Sequence, residues 1–321
     1  MEAKSLRIVF MGTPDFAVES LKALHENGYN IVGVVTVPDK PAGRGQKMHQ
    51  SAVKQYAEKA GLPLLQPEKL KDENFVEALR ALKADLQVVV AFRMLPEIVW
   101  TMPPLGTFNL HGSLLPRYRG AAPLNRAIIN GDKETGVTTF LLKHEIDTGN
   151  ILFSEKIEVG ENETVGDIHD KLMVIGAGLV LKTVDALAEN RVVPIPQESL
   201  SIDLSRVKAP KIFKDDCRID WSNGAKSIHN LIRGLSPYPA AWTNLTDGNK
   251  TLSLKIFHSV YEIADNLPSP GSIMANAKGE LKIACADGYI IISDLQLAGK
   301  TRMSSADFLR GFTAIAAFRA E

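Results

Sequence analysis

The sequence predicts an α/β domain built on a parallel sheet, followed by a smaller β-barrel. Three observations lead there. Short apolar runs alternate with helix-period stretches through the first half. Short strand-like runs with Gly-containing turns fill most of the chain after Trp221. Between them lies VVPIPQESLSIDLSRVKAPK, residues 192–211, rich in Pro and Ser and without a sustained period. The expected division is a catalytic-size domain over 1–190, a linker over 191–209 and a second domain over 210–321.

The elements follow in order. Arg7 to Met11 (RIVFM) is an apolar run suited to a buried strand, broken by Gly12-Thr13-Pro14-Asp15. Phe16, Val18, Leu21 and Leu24 recur at helical spacing, and Gly28 ends that helix. Asn30 to Val37 is the next strand, completing a βαβ unit and so predicting parallel pairing. Helices follow over 52–60 and 72–83, strands over 85–92 and 107–111, and a helix over 124–130. TGVTTFLLKHE and ILFSEKIEV read as two strands joined by the turn Ile146 to Asn150, before a long helix from Val165 to Asn190. Past the linker come the helix AKSIHNLIRGL, the closely spaced strands and a last helix from Ser304.

Composition is that of a globular chain, 45% apolar and 23% charged, with formal net charge zero. No apolar run approaches the ~18 residues that span a bilayer, and MEAKS runs into RIVFMG with no room for a signal-peptide core. The two cysteines, Cys217 and Cys285, form no CxxC pair, which argues against a disulfide framework or zinc site and fits a cytoplasmic protein. With no net charge, any surface for nucleic acid must be local, and the second half carries only a small positive excess.

The chemistry concentrates in TFNLHGSLLPRYRGAAP, residues 107–123. Residues two apart on a strand share a side, so Asn109 and His111 face the same way at a strand's carboxyl end, where open α/β sheets build sites. Either alone reads as an ordinary hydrogen-bonded sheet residue. Together, an amide and an imidazole suit oxyanion stabilisation and proton movement at neutral pH. Gly112 lets the backbone turn away sharply, and Ser113-Leu114-Leu115-Pro116 makes a stiff turn. No GxSxG surrounds Ser113, which argues against acyl-enzyme chemistry. No GxGxxG follows the first strand, which argues against a dinucleotide. Asp147-Thr148-Gly149 matches an aspartic-protease tripeptide, but a single copy in an α/β context supplies one carboxylate. Asp147 is either a turn residue or a carboxylate that orients and charges His111.

These residues resemble the 10-formyltetrahydrofolate-dependent formyltransferases. RIVFMGTPDFA, PDKPAGRG, NLHGSLLPRYRGAAP, DTG, RIDWS and SPYPAAW occur in that family's order and spacing across the whole chain, and the set is similar to the branch whose acceptor is methionyl-tRNA. The resemblance implies a Rossmann-like N-terminal domain, a linker and an OB-like C-terminal barrel. It also implies formyl transfer from 10-formyltetrahydrofolate to the amine of initiator methionyl-tRNA, without a metal, by a monomer. Asn109, His111 and Asp147 are implied as the catalytic set. Ser113, Leu114, Leu115, Pro116, Met94 and Leu95 are implied to hold the folate. Two departures stand out: the loop Phe92 to Pro96 is one residue shorter than the family's, with Arg93 unexplained, and Gln46-Lys47 replaces a lysine pair.

A bulky RNA acceptor gives the basic residues a role. Lys40, Arg44 and Lys47 sit on a glycine-loosened loop suited to closing on an acceptor stem, and Lys208, Lys211, Lys214 and Arg218 mark the end of the linker. Any one of them alone reads as a solvated surface charge. A small amine acceptor, such as an amino sugar nucleotide, is the alternative, and a catalytically silent RNA-binding protein is a third reading. Arg117 and Arg119 are open between the folate's acidic tail, RNA phosphate and loop bracing.

Overall fold

The computed structural model describes residues 2–42, 47–201, 206–276 and 278–321. The chain divides into two compact units, the first Met1–Gly120, Gly136–Ile157 and His169–Lys208, the second Ala121–Thr135, Glu158–Ile168 and Ala209–Glu321.

The first unit is organised by strands that are apolar on both sides. Ile8–Gly12 and Leu86–Val90 are buried at every position, which requires cover on both faces and so favours parallel pairing. Ile31–Val35 and Leu86–Val90 flank Ile8–Gly12, both parallel to it. Leu64–Leu65 pairs parallel to Ile31–Val35, and Thr107–His111 parallel to Leu86–Val90. Chain order therefore reverses between Ile8–Gly12 and Leu86–Val90, the switch point at whose carboxyl side α/β folds bind ligands. Glu134–Leu141 runs antiparallel to Thr107–His111, and Ile151–Glu158 completes the seven-stranded sheet. Phe10, Phe108 and Phe140 are among its fully buried side chains.

Helix starts follow local chemistry. Ser51 caps Ala52–Lys59 by accepting the Lys54 N–H, and Asp72 caps Glu73–Ala81 by accepting that of Phe75. The expected basic loop is flanked by a short hairpin, Lys40–Ala42 against Lys47–His49. Its base is tied down by Asp39, which accepts from Lys54 Nζ at 2.6 Å and from Gln66 Nε2 at 2.9 Å. These partners hold the Asp39 carboxyl below its usual range.

The second unit contains a sheet whose assigned pairings are antiparallel. In order its strands are Ile273–Ala275, Leu281–Ala284, Gly288–Leu297, Thr251–Ile263, Ala241–Thr246 and Arg319–Ala320, with Met303–Ser304 also on Gly288–Leu297. Its two ends meet: the Ala320 N–H donates to Gly271 O at 2.9 Å, and Ser272 bridges Arg319. Gly271 has φ +89°, and a Cβ there would lie 2.2 Å from Ala320 O, so closure of the barrel requires glycine. Ala241–Thr246 alternates buried and half-buried positions, and the helix Ala225–Leu235 adds Ile228, Ile232 and Leu235 to the barrel core. Trp221, from the RIDWS motif, is a core residue whose Nε1–H reaches buried Thr243 Oγ1 at 2.9 Å.

Phe108 carries the packing beneath the polar pair. Phe108→Ala is expected to destabilise the protein by about 3–5 kcal/mol, read as a lowered urea midpoint; an unchanged midpoint would contradict the packing described.

Candidate active site

His111 is buried and Asn109 half-buried at the carboxyl end of Thr107–His111. The Asn109 carboxamide makes no side-chain hydrogen bond to a described residue, and it is not among the buried polar atoms without a partner, so the half-buried amide is open to solvent and to a ligand. His111 Nε2 lies 2.9 Å from Tyr118 O. A carbonyl only accepts, so Nε2 carries a proton and Nδ1 is the atom left to exchange one. Nδ1 stands 3.8 Å from Asp147 Oδ2, an ion-pair separation too long for a hydrogen bond. Phe140 meets the imidazole edge-on, ring centres 6.3 Å apart.

Asp147 sits at φ +54° in the turn after Glu134–Leu141. Its Oδ2 also accepts the Gly120 N–H at 2.9 Å. The turn itself is held by Gln197, fully buried, whose Nε2 donates to Asp147 O at 2.9 Å and to Gly149 O at 2.8 Å. Gln197 Oε1 in turn accepts from Arg119 Nε at 3.0 Å and Nη2 at 2.6 Å. A Cβ on Gly149 would lie 1.5 Å from Leu141 O, so the DTG glycine is required by close approach. Sequence reasoning missed Gln197, which lies in the aperiodic stretch read as linker. Arg119, left open there, braces the loop.

The Ser113 to Tyr118 turn is closed on itself. Ser113 Oγ–H donates to Arg117 O at 2.6 Å, so its hydroxyl is committed. Thr138 Oγ1–H donates to Ser113 O at 2.7 Å and accepts the Leu115 N–H at 3.2 Å. Leu115 and Pro116 are buried and Leu114 is half-buried. On the neighbouring strand end, Leu95 is buried and Met94 is 73% exposed. Arg93 now has a structural account: its guanidinium donates to Glu68 O at 2.9 Å and Pro67 O at 2.8 Å and lies over the Phe92 ring. The shortened loop is thereby tied to its neighbour.

Of the basic residues, Lys40 is exposed on the hairpin, Arg44 lies outside the described residues, and Lys47 is described in its backbone alone. Lys208 is exposed in the first unit; Lys211, Lys214 and Arg218 are exposed in the second. Among the described residues no group of three or more His, Cys, Asp or Glu is placed to hold a metal, and no helix is long and apolar enough to cross a membrane.

An open amide, an imidazole with one nitrogen left to exchange a proton and a carboxylate, beside a serine already committed, are groups whose chemistry suits charge stabilisation and proton movement. The formyl transferase profile matches residues 6–184, and the profile of the formyl transferase C-terminal domain matches residues 211–313. The methionyl-tRNA formyltransferase of Bacteroides fragilis is 56% identical over 320 residues, covering 99% of each chain. That of Phocaeicola vulgatus is 59% identical over 316 residues, covering 97% of each. An N-formyltransferase from Helicobacter canadensis, solved in complex with folinic acid and dTDP-3-aminofucose, shares the fold with TM-score 0.62 at 20% identity, covering 89% of this chain and 98% of that one. The chain belongs to the formyl transferase family.

Gln197→Glu tests the turn's support. It keeps an acceptor for Arg119 but removes both donated hydrogen bonds. Turnover is expected to fall by roughly 10²-fold, as for other small misplacements of catalytic groups, with the circular-dichroism spectrum unchanged. Wild-type turnover in this variant would show that the Gln197 contacts do not position Asp147.

Proposed function

We infer that the chain transfers the formyl group of 10-formyltetrahydrofolate to the α-amine of initiator methionyl-tRNA, giving N-formylmethionyl-tRNA for translation initiation. The observation that carries this reading is the open Asn109 amide beside His111 and Asp147. It stands in a chain whose near-full-length relatives, 51–59% identical, are named for that reaction. We further expect a monomer acting in the cytoplasm.

The residues fit a folate. Leu114, half-buried, offers apolar surface to its flat ring system, Met94 is exposed for contact, the buried Leu115, Pro116 and Leu95 give the turn and loop a packed base, and Ser113 contributes backbone because its hydroxyl is internally bonded. When bound, 10-formyltetrahydrofolate supplies the formyl carbon; the acceptor amine forms a bond to it, the bond from that carbon to N10 breaks, and tetrahydrofolate leaves with N10 taking up the proton that the amine gives up. Asn109 donates its amide N–H to the formyl oxygen as negative charge builds there, a contribution of about 3–4 kcal/mol from a preorganised donor. His111 exchanges a proton at Nδ1, its ring fixed by the Nε2–H bond to Tyr118 O. Asp147 balances the imidazolium charge, its own position set by the Gly120 N–H and by Gln197.

The RNA is met by Lys40 and Lys47 of the hairpin strands, by Arg44 between them in sequence, and by Lys208, Lys211, Lys214 and Arg218. Their charge is matched to phosphate, which supplies affinity more than sequence discrimination.

Asn109→Ala should lower kcat by roughly 10²–10³-fold while folate binding, measured by fluorescence titration, changes little. Turnover near wild type with saturating substrates would remove Asn109 from the chemistry. Affinity for charged tRNA should fall steeply with added salt, and Lys208→Ala should reduce the slope of log K against log salt by about 1. A salt-independent affinity measured by filter binding would contradict the phosphate contacts.

A further inference from the structure

Phe213 is an aromatic side chain that the fold of the second unit leaves 63% exposed. Trp221, Phe257, Phe308 and Phe318 of the same unit are buried. The exposure of Phe213 is built in. Its N–H donates to the Asp216 carboxylate at 2.8 Å, and its carbonyl accepts from Cys217 Sγ at 3.3 Å. Cys217 belongs to the barrel core. The turn Asp215–Cys217 is closed by the Cys217 N–H on Lys214 O, 3.1 Å, and by the Arg218 N–H on Asp215 O, 3.1 Å. Backbone pinned on both sides of the residue fixes where the side chain leaves the turn.

Cations and acids are interleaved in the segment. Lys211 Nζ stands 5.5 Å from the Phe213 ring centre. Lys214 Nζ and Arg218 Cζ stand 5.7 and 5.9 Å from the ring centre of Trp242, whose Nε1–H donates to Lys214 O at 2.9 Å. Three acids, all exposed, share the segment: Asp216 accepts the Phe213 N–H and lies 3.9 Å from Arg126, Asp215 adjoins it, and Asp220 is held below the usual carboxylate range by Ser222 and, to a smaller extent, by Arg218. One ammonium covers at most one face of a phenyl ring. An exposed ring with one cation beside it, in a segment whose other two cations lie over the neighbouring Trp242, matches how proteins hold single-stranded nucleic acid, by base stacking between phosphate contacts. An apolar protein partner has no use for the cations, and a bare phosphate has no use for the ring.

We propose that Phe213 is a stacking platform for an unpaired nucleobase of the RNA acceptor, with Lys211, Lys214 and Arg218 receiving the adjoining phosphates. The proposal rests on the RNA acceptor inferred above and adds a contact outside the reacting centre. Stacking displaces no counterion, so the ring's contribution should be independent of salt whereas the cations' contribution should not.

The test is filter binding of the full chain to methionyl-tRNA across a salt series. Phe213→Ala should weaken binding about tenfold with the slope of log K against log salt unchanged. Phe213→Trp should retain wild-type affinity, and Phe213→Leu should bind as weakly as the alanine variant. Because the ring is exposed, the urea midpoint should not move, which separates a lost contact from a lost fold. Wild-type affinity in Phe213→Ala, or full rescue by leucine, would overturn the platform while leaving the proposed function standing. Absence of RNA binding by the wild-type chain would overturn both.

Discussion

The buried carboxamide of Gln197 ties together three segments far apart in the chain, beside the Ile151–Ile195 bridge. Its nitrogen donates to the carbonyls of Asp147 and Gly149, and its oxygen accepts twice from Arg119. The turn holds Asp147 at φ +54°, and the Gly149 carbonyl, on a buried residue, has its partner in Gln197. With the turn held, Asp147 can share one oxygen between the Gly120 N–H and the neighbourhood of His111. Without it, the Gly120 N–H alone would place the carboxylate, and the role proposed for Asp147 depends on placement to about an ångström.

Against that rigid surround, Asn109 is the open valence. Ser113, Thr138, Arg93, Arg119 and Gln197 all have partners within the protein. His111 has one nitrogen satisfied and the other exchangeable. A site for developing negative charge works best when donors are placed before the reaction and are not bonded elsewhere. Asn109 meets both conditions, since the strand beneath it is anchored by the buried Phe108 and paired on both edges.

How much of this is legible in the sequence depends on distance along the chain. Asn109 and His111 are recognisable as a pair because strand geometry is periodic, and the apolar runs at Ile8–Gly12 and Leu86–Val90 announce a sheet covered on both faces. Element ends fall within a residue or two of expectation for the helices Val165–Ala188 and Ala225–Leu235. Gln197 has no such signature. It lies in a Pro- and Ser-rich segment, and its partners are separated from it by 48 to 78 positions. Closure of the barrel through Gly271 and Ala320 is hidden for the same reason, as it is a contact between two loop-like ends. Arg119 and Arg93 are visible as charges, but that both serve backbone or amide oxygens inside the protein is a property of the folded chain.

The central claim is that the Tyr118 carbonyl fixes one nitrogen of His111 and leaves the other facing Asp147. Nitrogen-15 NMR of the imidazole, in protein labelled at histidine, reads this directly. The account predicts that neutral His111 is the Nε2–H tautomer, with Nδ1 as the nitrogen whose shift changes on protonation. A neutral ring protonated at Nδ1, with Nε2 free, would contradict it.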